Sequence, residues 1–340
     1  MGKWAKLVTQ YRLRLKRQRY ILRALRKGLA LKSLKNRTKS INPSDILLFS
    51  TVRNEVVRLP YFLEYYRKLG VNHFLFVDNA SDDGTRELLS EQPDCSVWTT
   101  SKSYKKSRFG MDWMNALLMR YGNGHWCLTV DADELFTYPF CDTRPLLALT
   151  SWLDSKELRS FGALMLDLYP QGRLDEKPYA AGDDPTEILT HFDHGNYVIS
   201  RHHNFHNLWI QGGVRARKFF GDDPKSAPSL NKIPLVKWYW RYTYDSSTHK
   251  MLPRSLNKVY DDQGGEMATG VLLHTKFLHI ILEKTAEELR RGEHYNNSAE
   301  YISYQNTLKN NPVLWDASST RYENWRQLEI LGLMSKGDWT

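Results

Sequence analysis

From residue 46 to residue 130, apolar runs of strand length alternate with amphipathic runs of helix length, and few residues separate them. "ILLFSTV" (46–52), "HFLFV" (73–77), "CSVWTT" (95–100) and "HWCLTV" (125–130) have the length of strands, and their near-continuous apolarity suits burial on both faces. Between the first two, "RLPYFLEYYRKLG" (58–70) puts Leu59, Phe62, Leu63 and Tyr66 on one helical face, with Pro60 near its start and Gly70 at the expected C-terminal cap. "DGTRELLS" (83–90) opens a short helix, and "MDWMNALLMRYG" (111–122) turns Met111, Met114, Leu118 and Tyr121 inward. The alternation predicts an α/β fold: a Rossmann-like, mostly parallel sheet covered by helices. Sheets of this kind bind ligands beyond the carboxyl ends of their strands.

After residue 140 strand-like pieces ("FGALMLDLY", "NKIPLVKWYWRYTY", "GVLLHTKF") mix with polar, His-rich loops, and helical stretches at 283–291 and 298–310 follow. A 41% hydrophobic and 13% aromatic composition leaves little room for long disorder. The most apolar stretch, 270–282, is broken by His274, Lys276 and His279, so no transmembrane helix is expected. The start has neither the apolar segment nor the cleavage site of a signal peptide. Cys95, Cys127 and Cys141 lack metal-site spacing and read as buried thiols in a reducing compartment.

The net charge of +10 is localised, since residues 1–40 hold fourteen Lys and Arg and no acid. The remainder has 34 basic against 38 acidic residues. In this arm Trp4, Leu7, Val8, Tyr11, Leu15, Leu22, Leu25 and Leu29 recur at helical steps, which predicts a basic amphipathic N-terminal helix. It could dock on the body or a partner, or lie on an anionic membrane surface. Nucleic acid is not expected, because the body is acidic. "NRTKSINPSD" (36–45) reads as a linker. The arm and linker are therefore assigned to 1–44, and a single domain to 45–335.

The fourth strand ends in "VDADE", which gathers Asp131, Asp133 and Glu134. Two carboxylates about 5 Å apart repel by roughly 3 kcal/mol at an effective dielectric near 20. A divalent cation, Mg²⁺ or Mn²⁺, would remove that repulsion and could also hold a diphosphate. The first two strands likewise end in polar clusters, "TVRNE" (51–55) and "VDNASDDGT" (77–85). Three loaded strand tips suggest a nucleotide site, while "DNASDDGT" could equally be an Asx-type turn capping the next helix.

"TVRNEVVRLPYFLEYYRKLGVNHFLFVDNASDDGT" followed by "VDADE" resembles the family-2 glycosyltransferases and their relatives of GT-A fold, in the branch with T-x-R-N-E and D-N-x-S-x-D-G-T motifs. The likeness is strong over 46–140 and fainter to about 335. It implies a nucleotide-binding half (45–140), an acceptor half (141–282) and C-terminal helices (283–335). Thr51, Arg53, Asn54 and Glu55 would line the nucleotide pocket. Asp78 would meet base or ribose, and Asn79, Ser81 and Asp83 would shape the turn. Asp131 and Asp133 would hold the cation on a nucleotide-sugar donor, a uridine diphosphate sugar by the family's habit. His274 is the first choice for a further metal ligand, and His249 the second. The acceptor implied is a glycan or lipid-linked sugar of the cell envelope, reached from the cytoplasm by a protein peripheral on the inner face of the membrane.

The sequence departs from the family in two places. The usual catalytic base lies in a Glu-Asp pair, and no Glu-Asp dipeptide occurs here. Asp167, Asp222, Asp223 and Glu266 are the candidates in its stead. Tyr66 stands where the branch often has His. The Gln-x-x-Arg-Trp signature of processive synthases is missing, which favours single addition. "HGNYVISRHHNFHNLWIQGGVRARKFF" (194–220) suits a wall facing acceptor or diphosphate, with Arg215, Arg217 and Lys218 as phosphate contacts. His202, His203 and His206 within it lack a common zinc spacing. The rival readings are a nucleotidyltransferase, whose Gly-rich loop after the first strand is missing, and a non-catalytic membrane-associated adaptor of the same fold.

Overall fold

The computed structural model describes residues 3–221, 223–260, 266–285 and 307–339. Helices α1 (Lys3–Gly28), α2 (Leu59–Leu69), α3 (Thr85–Glu91), α4 (Met111–Tyr121) and α5 (Leu146–Ser155) intersperse β1 (Lys32–Lys35), β2 (Leu47–Val52), β3 (His73–Asp78), β4 (Cys95–Thr99), β5 (Trp126–Thr129), β6 (Glu134–Thr137) and β7 (Ser160–Asp167). Then come β8 (His191–Phe192), β9 (Val198–His202), β10 (Asn207–Gln211), α6 (Gly213–Phe219), β11 (Asn231–Lys237), β12 (Thr243–Ser246) and β13 (Lys250–Leu252). β14 (Gly270–His274), β15 (Thr320–Arg321) and α7 (Trp325–Ile330) complete the described elements.

Nine strands form one sheet in the order β1-β4-β3-β2-β5-β11-β7-β14-β6. Six of them (β4, β3, β2, β5, β7 and β14) run one way, and β1, β11 and β6 run against them. The expected α/β class is what the chain adopts, and the four apolar runs lie within one residue of the strands they predicted. Successive side chains of a strand point to opposite faces. Leu48, Phe74 and Phe76 accordingly pack with Phe62 and Tyr66 of α2, and Phe49, Leu75 and Val77 pack with Trp113 and Met114 of α4. Each such side chain contributes about 1.5–3 kcal/mol when fully buried. Gly70 caps α2 in the left-handed region (φ 99°), as its position suggested.

One expectation needs correction. Residues 36–45 are not a free linker, because the edge strand β1 pairs antiparallel with β4 and Arg37 ties on beyond it. The Arg37 backbone N–H donates to Ser96 Oγ (2.9 Å), and its guanidinium donates to Cys95 O (3.0 Å) and Ser90 O (2.9 Å). A strand the sequence reading did not single out follows the acidic cluster: Glu134 opens β6, which pairs with β14 at the far edge of the sheet. Of the two closing helical stretches, 283–285 and 307–309 are helical, and the rest lies outside the described residues except Asn310.

Candidate metal and nucleotide site

β5 and β6 are four residues apart in sequence but separated by β11, β7 and β14 in the sheet. Residues 130–133 therefore pass over the ends of those three strands. β7 ends there in Asp167 and β14 in His274, directly paired in register, while the opposed strand β11 begins there with Asn231 and Lys232. The topology thus brings Asp131, Asp133, Glu134, Asp167, Arg215, Lys232 and His274 together from distant stretches of sequence.

Their contacts form two chains. In the first, His274 Nε2 lies 3.3 Å from Asp133 Oδ2, and His274 Nδ1 lies 2.6 Å from Asp167 Oδ1. Arg215 Nε donates to Asp167 Oδ2 at 2.7 Å. In the second, Lys232 Nζ lies 2.8 Å from Glu134 Oε1 and 3.8 Å from Asp131 Oδ2. The Asp131 N–H donates to Glu134 Oε2 at 3.0 Å. Asp131 presents half of its side chain to solvent (51%) and Asp133 a quarter (23%), whereas Glu134, Asp167, Lys232 and His274 are buried. Thr275 anchors the crossing loop through N–H and hydroxyl bonds to Asp133 O, at 2.7 and 3.0 Å.

Burial works against charge at Asp167, yet Arg215 and His274 hold its carboxyl down to about 2. Burial likewise opposes charge at Asp133, and His274 keeps that carboxyl well below the usual range. Burial and then Glu134 push the Asp131 carboxyl up to about 7, while, against the effect of burial, Asp133 and Asp167 raise His274. The donor chemistry fits a divalent ion: two reachable carboxyl groups and an imidazole whose second nitrogen is fixed by a carboxylate, the usual arrangement behind a metal-ligating histidine. Among the described residues, no group of three or more His, Cys, Asp or Glu side chains is already disposed to hold an ion. Nε2 of His274 is instead engaged with Asp133.

Beside this tip, the first two polar clusters are zipped together. Asn54, in the left-handed region at φ 52°, donates its N–H to Ser81 Oγ (3.0 Å) and accepts from Asp82 N–H through Oδ1 (3.0 Å). Arg53 Nη1 donates to the carbonyls of Asn79 and Ala80, both at 2.7 Å. Asp83 accepts from Val56 N–H and Thr85 N–H, so it sets the turn at the start of α3. Asn79 is buried and donates to Thr100 O and Lys102 O. Arg53, Glu55, Arg58 and Lys284 border a cavity of about 640 Å³, in which Glu55 is paired with Arg58 (3.1 Å) and with Lys284. A smaller cavity of about 40 Å³ is lined by Thr51, Tyr104, Phe109, Asp131, Ser247 and Thr248 among others. The hydroxyls of Ser50, Thr51 and Thr248 are buried there without a hydrogen-bond partner.

Not every expected residue occupies the expected place. Asp78 is fully buried, and its carboxylate accepts from Ser81 N–H, Ser81 Oγ and Thr99 Oγ1. Those bonds make it a residue that shapes the turn. Asp167 is committed to Arg215 and His274 and cannot take a proton from an acceptor. Glu266 precedes the start of β14, at the opposite end of the sheet from His274, where it accepts from Ser335 Oγ (2.8 Å). Asp223 is exposed and accepts from Ser226 Oγ (2.6 Å), and Asp222 lies outside the described residues. His249 is turned away from the acids: its Nδ1 meets Asn231 O at 2.7 Å, and burial together with Lys232 and Arg215 depresses it to about 3. Arg215 and Arg217 serve internal ion pairs, with Asp167 and with Asp193 and Asp316 respectively.

Sequence reasoning missed Lys232, Arg58 and Lys284. Lys232 carried a signal, a charge inside the apolar run "LNKIPLV". A lysine there must find a buried acid.

No protein-family profile and no curated protein sequence matches the chain. Among solved structures, it is similar to the mannosyltransferase PcManGT from Pyrobaculum calidifontis in complex with GDP-Man and Mn²⁺, at 18% identity and a TM-score of 0.28, over 47% of this chain and 46% of that one. The matched part thus spans less than half of the mannosyltransferase chain. A 4-diphosphocytidyl-2C-methyl-D-erythritol synthase is similar at 16% identity and a TM-score of 0.23, over 42% of this chain and 68% of that one.

Proposed function

We propose that this chain is a metal-dependent glycosyltransferase of GT-A type that moves a sugar from a nucleotide-diphosphate donor, for which a uridine diphosphate sugar is our choice. One observation carries the reading: Asp131 and Asp133 ride a loop over the tips of β7 and β14, with Asp131 in the same cavity wall as Thr51. Asp131, Asp133 and His274 are the residues that would hold Mg²⁺ or Mn²⁺. The ion would stabilise the diphosphate as it leaves the anomeric carbon.

The chain's own residues have separate tasks. Asp167 orients the His274 ring through Nδ1, and Lys232 keeps Asp131 and Glu134 from repelling each other. Arg53, Arg58 and Lys284 line the larger cavity together with Glu55, Asp82, Asp83 and Glu283, so its wall is mixed in charge. Thr51 and its neighbouring unpartnered hydroxyls offer donors and acceptors to a nucleotide. In-line displacement with inversion is the course the family resemblance implies. The acceptor we favour is a glycan or lipid-linked sugar of the cell envelope at the inner face of the membrane. Among the described residues no helix is long and apolar enough to cross a membrane.

The test is hydrolysis of nucleotide sugars by the purified chain, with and without chelator and after Asp133→Ala. Turnover that depends on added Mn²⁺ and is lost in the variant supports the reading. Turnover indifferent to both treatments overturns it.

A further inference from the structure

Helix α1 packs on the body through its polar side. Lys16 Nζ lies 2.6 Å from Asp245 Oδ1, Arg23 Nη2 lies 2.8 Å from Oδ2 of the buried Asp112, and the Arg108 guanidinium stacks 3.8 Å from the Tyr20 ring centroid. Ala24, on the same side, is fully buried. At 3.6 residues per turn, Trp4, Leu7, Tyr11, Leu15, Leu22 and Leu25 fall within a sector of about 80° on the opposite side. They face outward: Trp4 is 81% exposed, Leu22 66% and Leu25 55%. The row runs about 30 Å along the helix.

An isolated exposed leucine needs no explanation, but an apolar row interrupted only at Gln18 does. Its surroundings identify the occupant. Arg12, Arg19 and Arg26 recur every seventh residue along one border of the row, all exposed, and residues 1–40 contain no acid. A second copy of this helix would bring ten further Lys and Arg against the first ten, with no carboxylate on either to pair them. A nucleic acid would meet an apolar centre instead of a basic one. The interface of an anionic bilayer suits both parts at once, accepting the apolar row below its headgroups and the arginines among its phosphates.

We propose that the outward face of α1 is a docking surface for an anionic bilayer, on which the helix lies flat without crossing. Beyond the sequence's suggestion of membrane contact, the docked contacts fix which residues meet lipid, and so fix how the body sits on it. The proposal uses no feature of the acidic site. Full-chain protein is co-sedimented with vesicles of phosphatidylcholine alone or mixed with phosphatidylglycerol, and compared with Leu22→Glu/Leu25→Glu and with Leu147→Glu, an exposed leucine on α5. Binding to the mixed vesicles is expected to fall by at least about tenfold in the double variant and to stay unchanged in Leu147→Glu, because two leucines lose their burial in lipid. Unfolding temperatures of the three proteins report whether the fold is kept. Failure of the wild type to bind mixed vesicles, or equal binding by the double variant, overturns the proposal. So does concentration-dependent dimerisation that the double variant abolishes in the absence of any vesicle binding. Donor hydrolysis by the wild type without vesicles is scored apart, so a failure of the transferase reading is distinguishable.

Discussion

Lys232 Nζ sits 2.8 Å from Glu134 Oε1 and 3.8 Å from Asp131 Oδ2, so the acidic tip contains an ammonium of its own. That charge stabilises the carboxylates, and it would oppose a second cation bound nearby. Lys232→Met should therefore act in opposite directions on two measurements. Thermal unfolding without metal should show a loss of about 3–5 kcal/mol, the usual cost of stranding a buried partner. Mn²⁺ should bind at least about tenfold more tightly by titration calorimetry, because a repelling charge within a few ångströms has gone. Unchanged Mn²⁺ affinity would contradict the placement of the ion at this tip.

Thr51 supplies a test of the proposed nucleotide pocket that leaves Asp131, Asp133 and His274 in place. Its Oγ1 is buried without a partner, close behind Gly110, where a Cβ would come within 3.0 Å of it. Thr51→Val removes the hydroxyl at nearly constant volume. Stability without ligand should hold or rise by up to about 1 kcal/mol, while nucleotide-sugar affinity should fall about tenfold as one hydrogen bond is lost. If calorimetry finds donor affinity unaltered, Thr51 is not in contact with the donor.

His249 sets a pH dependence. Burial first, then Lys232, Arg215 and Lys250, depress its pKa from the usual 6.5 to about 3. Between those values the unfolded chain binds a proton that the folded chain refuses. The stabilisation is thus complete above about pH 6.5 and is lost as pH falls, by up to about 1.4 kcal/mol per unit. From pH 8 to pH 5 the wild type should lose about 2 kcal/mol more than His249→Gln, measured by denaturant unfolding. Parallel curves for the two proteins would show that His249 protonates freely in the fold.

Tyr66 links α2 to the strand that follows the acids. Its hydroxyl donates to Glu134 O at 2.8 Å and accepts from Phe136 N–H at 3.0 Å, all in the buried core. Tyr66→Phe should cost about 1–3 kcal/mol, since the Phe136 N–H loses its acceptor where water cannot replace it. A cost below about 0.5 kcal/mol in chemical denaturation would mean that β6 can shift to satisfy that group.

The first half of the fold was legible because its signals are local. The runs at 46–52 and 73–77 are apolar throughout, and Pro60 and Gly70 mark the ends of α2. β6 was not legible: "ELFT" is four residues long, begins with a charge, and becomes a strand only by pairing with β14 well over a hundred residues later. The site divides in the same way. Asp131 and Asp133 announce themselves by crowding like charges after an apolar run. His274 drew notice through its setting, but Asp167 lies one residue before Leu168 in an ordinary apolar stretch, and only the register β7–β14 turns it from a possible base into the partner of His274. Lys232 has no local partner at all. Its acids arrive with a different strand, so its role depends on β11 running against its neighbours.

Arg108, Phe109 and Gly110 occupy the left-handed region in succession, at φ 51°, 55° and 76°, a costly conformation for the first two. Arg108 is held there by Asp112 (2.7 Å) and by the carbonyls of Tyr244 and Asp245, and α1 bears on the same group through Tyr20, Arg23 and Lys16. The helix that turns its leucines outward is therefore also a strut for the aromatic lip of the small cavity. Deleting the arm would unbrace that lip along with removing the proposed lipid contact, and strain imposed on the helix would reach Phe109 through two ion pairs and one stacked ring.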